Sequence, residues 1–150
     1  MMPAIVVGIG QPLAGDDGVG PMVARMVAAD GQAAVEAADA SVLLPLLASG
    51  RRVVIVDAVI ADRRPGTVLH LSAPALAGEV APLSSHGLGL ASTLEMARVL
   101  YGDAQVEIVG VVIARPGAGD GLSPEVAAAV APAAALVRRL VRRGDIGGEQ

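Results

Sequence analysis

Apolar and polar positions along this chain fall into short blocks, and the blocks carry either the period of a strand or the period of a helix. Ala4 to Val7 is a brief apolar run stopped by Gly8 and followed by a Gly/Asp-rich loop to Gly20, the pattern of a buried strand leading into a functional loop. Val19, Met22, Val23, Met26 and Val27 then recur at helical spacing, with Pro21 tolerated in the first turn, so a helix is expected to about Asp30. A weak strand near Ala33 to Ala37 precedes a short apolar helix from about Ser41 to Ser49, with Ser41 as its cap. Arg52 to Ala58 is a continuous β-branched run containing one acid, which is how a central parallel strand covered on both faces reads, and it places Asp57 at a strand's carboxyl end.

After a turn at Arg64-Pro65-Gly66, the segment Thr67 to Ser72 alternates as an edge strand does, and Pro74 and Pro82 bracket a loop reaching Ser84-Ser85-His86. Leu90, Leu94, Ala97 and Tyr101 form one helical stripe between Gly87 and about Tyr101, with His86 just before it. Gln105 to Ile113 is a further β-branched strand, and residues 116–121 form a Pro/Gly loop. Ser123-Pro124-Glu125, a cap followed by proline at the first helical position, opens a last helix to about Arg143, in which Pro132 is a potential kink. Strands alternating with helices specify an α/β fold. The expectation is a three-layer α/β/α domain over residues 1–143, with an open, mostly parallel, five-stranded twisted sheet, helices on both faces, and residues 144–150 as a disordered tail.

Composition narrows the chemistry. A chain of 150 residues is the usual length of one domain. Its 53% hydrophobic residues are dispersed among charges and never reach the run of about 20 that spans a bilayer, so no membrane helix is expected. The start, Met1-Met2-Pro3-Ala4, has neither a basic leader nor a small-residue cleavage site, and a cytoplasmic location is expected. The absence of Cys removes disulfides, thiolate metal sites and cysteine nucleophiles, so any metal must bind oxygen or imidazole. With a formal net charge of −4 and Tyr101 as the only aromatic, no nucleic-acid surface is expected. The Arg138, Arg139, Arg142, Arg143 cluster fits the carboxyl end of a helix, where positive charge complements the dipole.

Ligands of open α/β sheets bind beyond the carboxyl ends of the strands, so polar residues there are the candidates for chemistry. Asp17, Asp57 and His86 qualify, and two carboxylates with one imidazole make an open site for a divalent metal. Each has a structural alternative. Asp16 or Asp17 could cap the following helix, Asp57 could be satisfied by a loop N–H, and His86 could cap its own helix. His70, on an alternating edge strand, reads as a solvent-facing side chain. Gly8-Ile9-Gly10 is not a dinucleotide fingerprint, because the third glycine expected of that motif is Leu13 and because Asp16 and Asp17 would repel a pyrophosphate. No G-x-S-x-G elbow is present, which leaves a serine hydrolase without its nucleophile turn.

Three segments, Gly8-Ile9-Gly10-Gln11-Pro12-Leu13-Ala14-Gly15-Asp16-Asp17-Gly18-Val19-Gly20, Val56-Asp57-Ala58 and Ser85-His86-Gly87-Leu88-Gly89-Leu90, together resemble the hydrogenase maturation endopeptidases in order and spacing across about residues 4–140. The resemblance implies a cytoplasmic, monomeric endopeptidase that removes the C-terminal extension of a nickel-iron hydrogenase large-subunit precursor. It further implies that Asp17, Asp57 and His86 are the metal ligands, recognising nickel carried by the precursor or another divalent metal. A non-catalytic assembly factor binding the same precursor is the alternative. Two departures from the family pattern stand out: Gln11 replaces the usual Asn, and Ala38-Asp39-Ala40-Ser41 replaces a Gly-rich Asp-Gly-Gly-Thr turn. Ala38 and Ala40 resist positive φ and close backbone approach, so this loop is expected either to be rebuilt or to support binding without cleavage.

Overall fold

The computed structural model describes residues 3–73, 89–114, 119 and 121–147. Residues 74–88, which include His86 and the stretch expected as a loop from Pro74, residues 115–118 and 120 of the expected Pro/Gly loop, and residues 148–150 lie outside the described residues. The β-branched runs form five strands: β1 (Ile5–Ile9), β2 (Ala34–Ala37), β3 (Val53–Val59), β4 (Val68–Leu71) and β5 (Val106–Val112). They join one sheet in the order β2-β1-β3-β5-β4. All neighbours are parallel except β4, which runs antiparallel to β5 at the edge. The expected mostly parallel five-stranded sheet is therefore the observed one.

Among the described residues, four helices cover its two faces: α1 (Val19–Ala28), α2 (Leu43–Ala48), α3 (Leu90–Tyr101) and α4 (Pro124–Gly147). The period-2 alternation of β3 sorts its side chains between them. Val54, Val56 and Ala58 pack with Val19, Val23 and Val27 of α1 and with Val126, Val130, Ala133 and Val137 of α4. Val53, Ile55 and Val59 pack with Leu43 and Leu47 of α2 and with Leu94 and Ala97 of α3. Each face is a dry layer of aliphatic side chains, the sequence counterpart of the continuous apolar run at residues 53–56. Among the described residues no helix is long and apolar enough to cross a membrane.

Several boundaries differ from expectation, each for a local reason. β3 continues two residues past Asp57, because Ala58 and Val59 pair with Val111 and Val112 of β5. Asp57 thus lies inside the strand, level with Ile9, where β1 ends. Ser41 does not cap the second helix. The Oδ1 of Asp39 accepts from the Ser41 N–H at 2.8 Å and opens a 3₁₀ turn (Ala40–Val42) that runs into α2. The last helix continues through Gly147, so residues 144–147 are helical and not a disordered tail. A helix already several turns long propagates at little cost, and Gly144 weakens such a helix by about 1 kcal/mol without breaking it. The basic cluster consequently lies within the helix and not at its end, and Arg138 is used laterally: its guanidinium donates to Asp30 just beyond α1 at 2.6 and 3.0 Å.

The glycines of the first loop have a steric cause. The first turn of α1 lies directly on the sheet backbone. A Cβ on Gly20 would stand 2.4 Å from the Ile9 carbonyl oxygen and 2.6 Å from that of Val56, and one on Gly8 would stand 2.3 Å from the Gly20 carbonyl oxygen. Gly20→Ala is expected to force α1 off the sheet and to destabilise the fold by about 3 kcal/mol, the upper range for overpacking, as read by urea denaturation. An unchanged midpoint would show that α1 can lift without cost.

Candidate functional site

The candidate site is built where β1 stops and β3 runs on. Asp57 is in register with Ile9 on one side and Gly110 on the other. Strand alternation sets its side chain in line with Ile55 and Val59, on the face covered by α2 and α3. Beside it, the position opposite carries no side chain of its own. Val59 and Leu71 reach to 3.1 and 3.3 Å from where a Cβ of Gly110 would be, so apolar groups fill that space.

Asp17 comes from the loop. After β1 the chain turns at Gly10 with φ +148°, where a Cβ would meet the Asp17 carbonyl oxygen at 2.0 Å, and then forms a 3₁₀ turn over Gly15–Gly18. This turn packs against β3. The Gln11 N–H donates to Asp17 Oδ2 at 3.0 Å, and the Asp17 N–H donates to the Ala14 carbonyl at 3.2 Å. Gln11, one of the departures from the family pattern, takes part through its backbone, which any residue supplies. Neither Asp16 nor Asp17 caps α1. Gly18 occupies the N-cap position, with no side-chain hydrogen bond there.

The two acids are electrostatically coupled. Asp57 keeps some solvent contact as a residue, yet its carboxyl group is densely surrounded by protein. Desolvation pushes the carboxyl pKa well above the usual carboxylate range, and the nearby Asp17 charge adds to the rise; the Ala58 backbone N–H opposes it. The described residues therefore bring Asp17 and Asp57 together. His86 lies outside them, and among the described residues no group of three or more potential metal ligands assembles. His70 is an exposed edge-strand side chain that contacts Glu107, two strands from β3 and on the opposite face of the sheet from Asp57.

Asp16 is a tether that sequence reading missed. Its Oδ1 accepts from the Ser123 N–H at 2.6 Å and its Oδ2 accepts from the Ser123 hydroxyl at 2.8 Å, across 107 positions of sequence. Ser123 does stand immediately before α4, as its cap-like sequence suggests, but its hydroxyl is turned to Asp16. A carboxylate at the amino end of a helix also meets a favourable dipole, and hydrogen bonds to a charged group contribute about 1.5–3 kcal/mol each. The pairing of adjacent acids in the loop was the only sequence signal, and it does not name a partner.

The loop at Ala38-Asp39-Ala40-Ser41 is accommodated by its own residues. Asp39 is extended (φ −148°, ψ −179°), and among the described residues no non-glycine residue has positive φ. Alanine in place of glycine therefore imposes no backbone strain here, and Ala40 is buried under the sheet edge.

Comparison with known proteins gives a consistent result. The family model described as hydrogenase maturation protease matches residues 37–140. Among solved structures, the NiFe hydrogenase maturation protease HybD from Thermococcus kodakarensis is 29% identical, with 93% of this chain and 99% of that chain covered and a TM-score of 0.78. The hydrogenase maturating endopeptidase HybD from E. coli is 27% identical, with 95% and 94% covered and a TM-score of 0.80. A sequence comparison with curated proteins returns no match.

The raised Asp57 pKa fixes a sign for stability. The folded state holds the Asp57 proton to higher pH than the unfolded chain does, so the contribution of Asp57 to stability falls as pH rises from about 4, the unfolded carboxylate value, through the folded value. Asp57→Asn removes that loss. The variant is expected to match wild type near pH 3.5 and to exceed it increasingly toward neutral pH, as read by denaturation midpoints across pH; a constant difference would show that Asp57 ionises without penalty.

Proposed function

This chain belongs to the hydrogenase maturation protease family and has that family's endopeptidase role, and on that premise we propose that it removes the C-terminal extension of a nickel-iron hydrogenase large-subunit precursor, using Asp17, Asp57 and His86 to recognise the precursor's nickel. The single observation that carries the site assignment is the placement of Asp17 against Asp57. Two acids at close quarters in a desolvated corner raise the energy of the ionised pair, and a divalent cation is the ligand class that relieves it. Their oxygen donors fit such an ion, and His86, from the segment preceding α3, would complete the set with an imidazole.

Held by these residues, the precursor's nickel would supply positive charge beside the scissile carbonyl. The protein's own contributions are positional. Asp57 is fixed by a central strand, Asp17 by the turn after β1, and both lie at the pole where strands of such sheets present ligands. Asp57 would bind the ion as a carboxylate, giving up the proton that burial otherwise favours, and so would supply a rigidly placed oxygen donor.

A non-catalytic assembly factor would share the site, and cleavage separates the two readings. Wild-type protein incubated with nickel-loaded precursor is expected to release the C-terminal peptide, with a loss seen in intact mass, whereas Asp57→Ala, which removes a ligand outright, is expected to lower the rate by at least about 100-fold, the upper range for losing even an outer-shell partner of a metal ligand. Nickel-dependent binding without cleavage by wild type would assign the assembly role instead. Neither binding nor cleavage would refute both.

A further inference from the structure

Asp17 is carried by a single 3₁₀ turn between two glycines, Gly15 with φ +56° and Gly18, so the turn has little stiffness of its own. Its ends are fixed by the close packing of Gly10 and Gly20. Its middle is held differently. The two bonds made by Asp17 itself, from the Gln11 N–H and to the Ala14 carbonyl, stay within the same loop and would travel with it. The bidentate attachment of Asp16 to Ser123 reaches a different element, the start of α4, whose buried face is anchored across the sheet through Val126, Val130 and Val137.

Because adjacent residues in such a turn point in different directions, one acid can grip a support while the next faces the site. We infer that Asp16 and Ser123 form a positioning clamp that holds the Asp17 carboxylate against Asp57, so that α4 serves as the reference frame for the cleavage site. Asp16 is a positioning residue: it touches Ser123 through both carboxylate oxygens and acts on the chemistry only through its neighbour. The inference rests on the reading that Asp17 and Asp57 carry the cleavage site.

Its test separates the clamp from that reading. The Gln11 amide, which donates to Asp17 Oδ2, reports the position of Asp17 in the unliganded protein and can be followed by ¹⁵N NMR. Asp16→Ala and Ser123→Ala are expected to keep the fold by circular dichroism while shifting the Gln11 resonance. Both should lower kcat for precursor cleavage by about 10- to 100-fold at unchanged KM, the usual scale for removing a residue that orients a ligand group. Ser123→Thr, which keeps the hydroxyl, is expected to retain both the resonance and the rate. A merely structural contact would lower Tm but leave kcat of the folded protein unchanged. The clamp is overturned if the Gln11 resonance stays put in the alanine variants, if it moves without loss of kcat, or if KM rises with kcat unchanged, which would make Ser123 a substrate contact. Should Asp16→Ala fail to fold, Ser123→Ala decides alone. Should wild type cleave nothing, the proposed activity falls, and the Gln11 resonance by itself supports or overturns the clamp.

Discussion

Backbone-on-backbone packing between the first turn of α1 and the ends of β1 and β3 sets the distance on which the site depends. Gly8 and Gly20 let the Gly20 carbonyl and the Ile9 and Val56 carbonyls approach with no side chain between them. Because α1 begins that close to β3, the loop joining β1 to α1 has no slack to swing away, and its 3₁₀ turn is pressed against β3. An acid in that turn then stands beside an acid in β3. The separation of two residues 40 positions apart in sequence is thus determined by two glycines, Gly8 and Gly20, that carry no chemistry themselves.

The pair so formed is costly. An isolated acid on a central strand would be expected to recruit a cation or a set of N–H donors, yet Asp57 has the Ala58 N–H and a second acid. The alternation that buries Ile55 and Val59 on either side of it also surrounds it with apolar groups and limits its solvation. Stability is surrendered at one strand position, while the flanking positions on the same strand are fully buried aliphatics that the two layers need. Such a local conflict inside an otherwise consistent fold is expected at functional sites and supports the role proposed for Asp57. The two acids are held differently: the strand defines Asp57 rigidly, and a turn carries Asp17.

The parts of this fold that were legible in sequence are those governed by short-range period. The β-branched runs at 53–56 and 106–112 specified buried strands, and the stripe of Val19, Val23 and Val27 specified the buried face of α1. Contacts between remote residues left no such trace. Arg52 reads as the charged start of a strand, but it is buried and donates to the Leu140 and Val141 carbonyls of α4 at 3.3 and 2.9 Å. Asp16 reads as a spare acid and holds Ser123. At Ala38-Asp39-Ala40-Ser41, composition suggested strain, whereas the Asp39 carboxylate replaces with one hydrogen bond what glycine would have provided through conformational freedom. The candidate site was legible as a motif, but the strand's extension past Asp57 depends on pairing with β5, which periodicity does not encode.

Antiparallel β4 gives that extension its significance. A parallel strand must leave its neighbour to make a crossover, but β4 returns alongside β5 from the turn at Arg64-Pro65-Gly66, so the Thr67 carbonyl accepts from Val112 and the Val112 carbonyl accepts from Gly66. With β5 held on its far side to its last residue, β3 can stay paired through Val59, two residues beyond the point where β1 leaves it. Asp57 therefore occupies a step in the sheet: one side is still a ladder, and the other opens onto the loop that carries Asp17. A carboxylate at the true end of a strand would be free to turn to solvent and ionise. Set in this step, it is held by the strand and desolvated, beside the loop that carries Asp17.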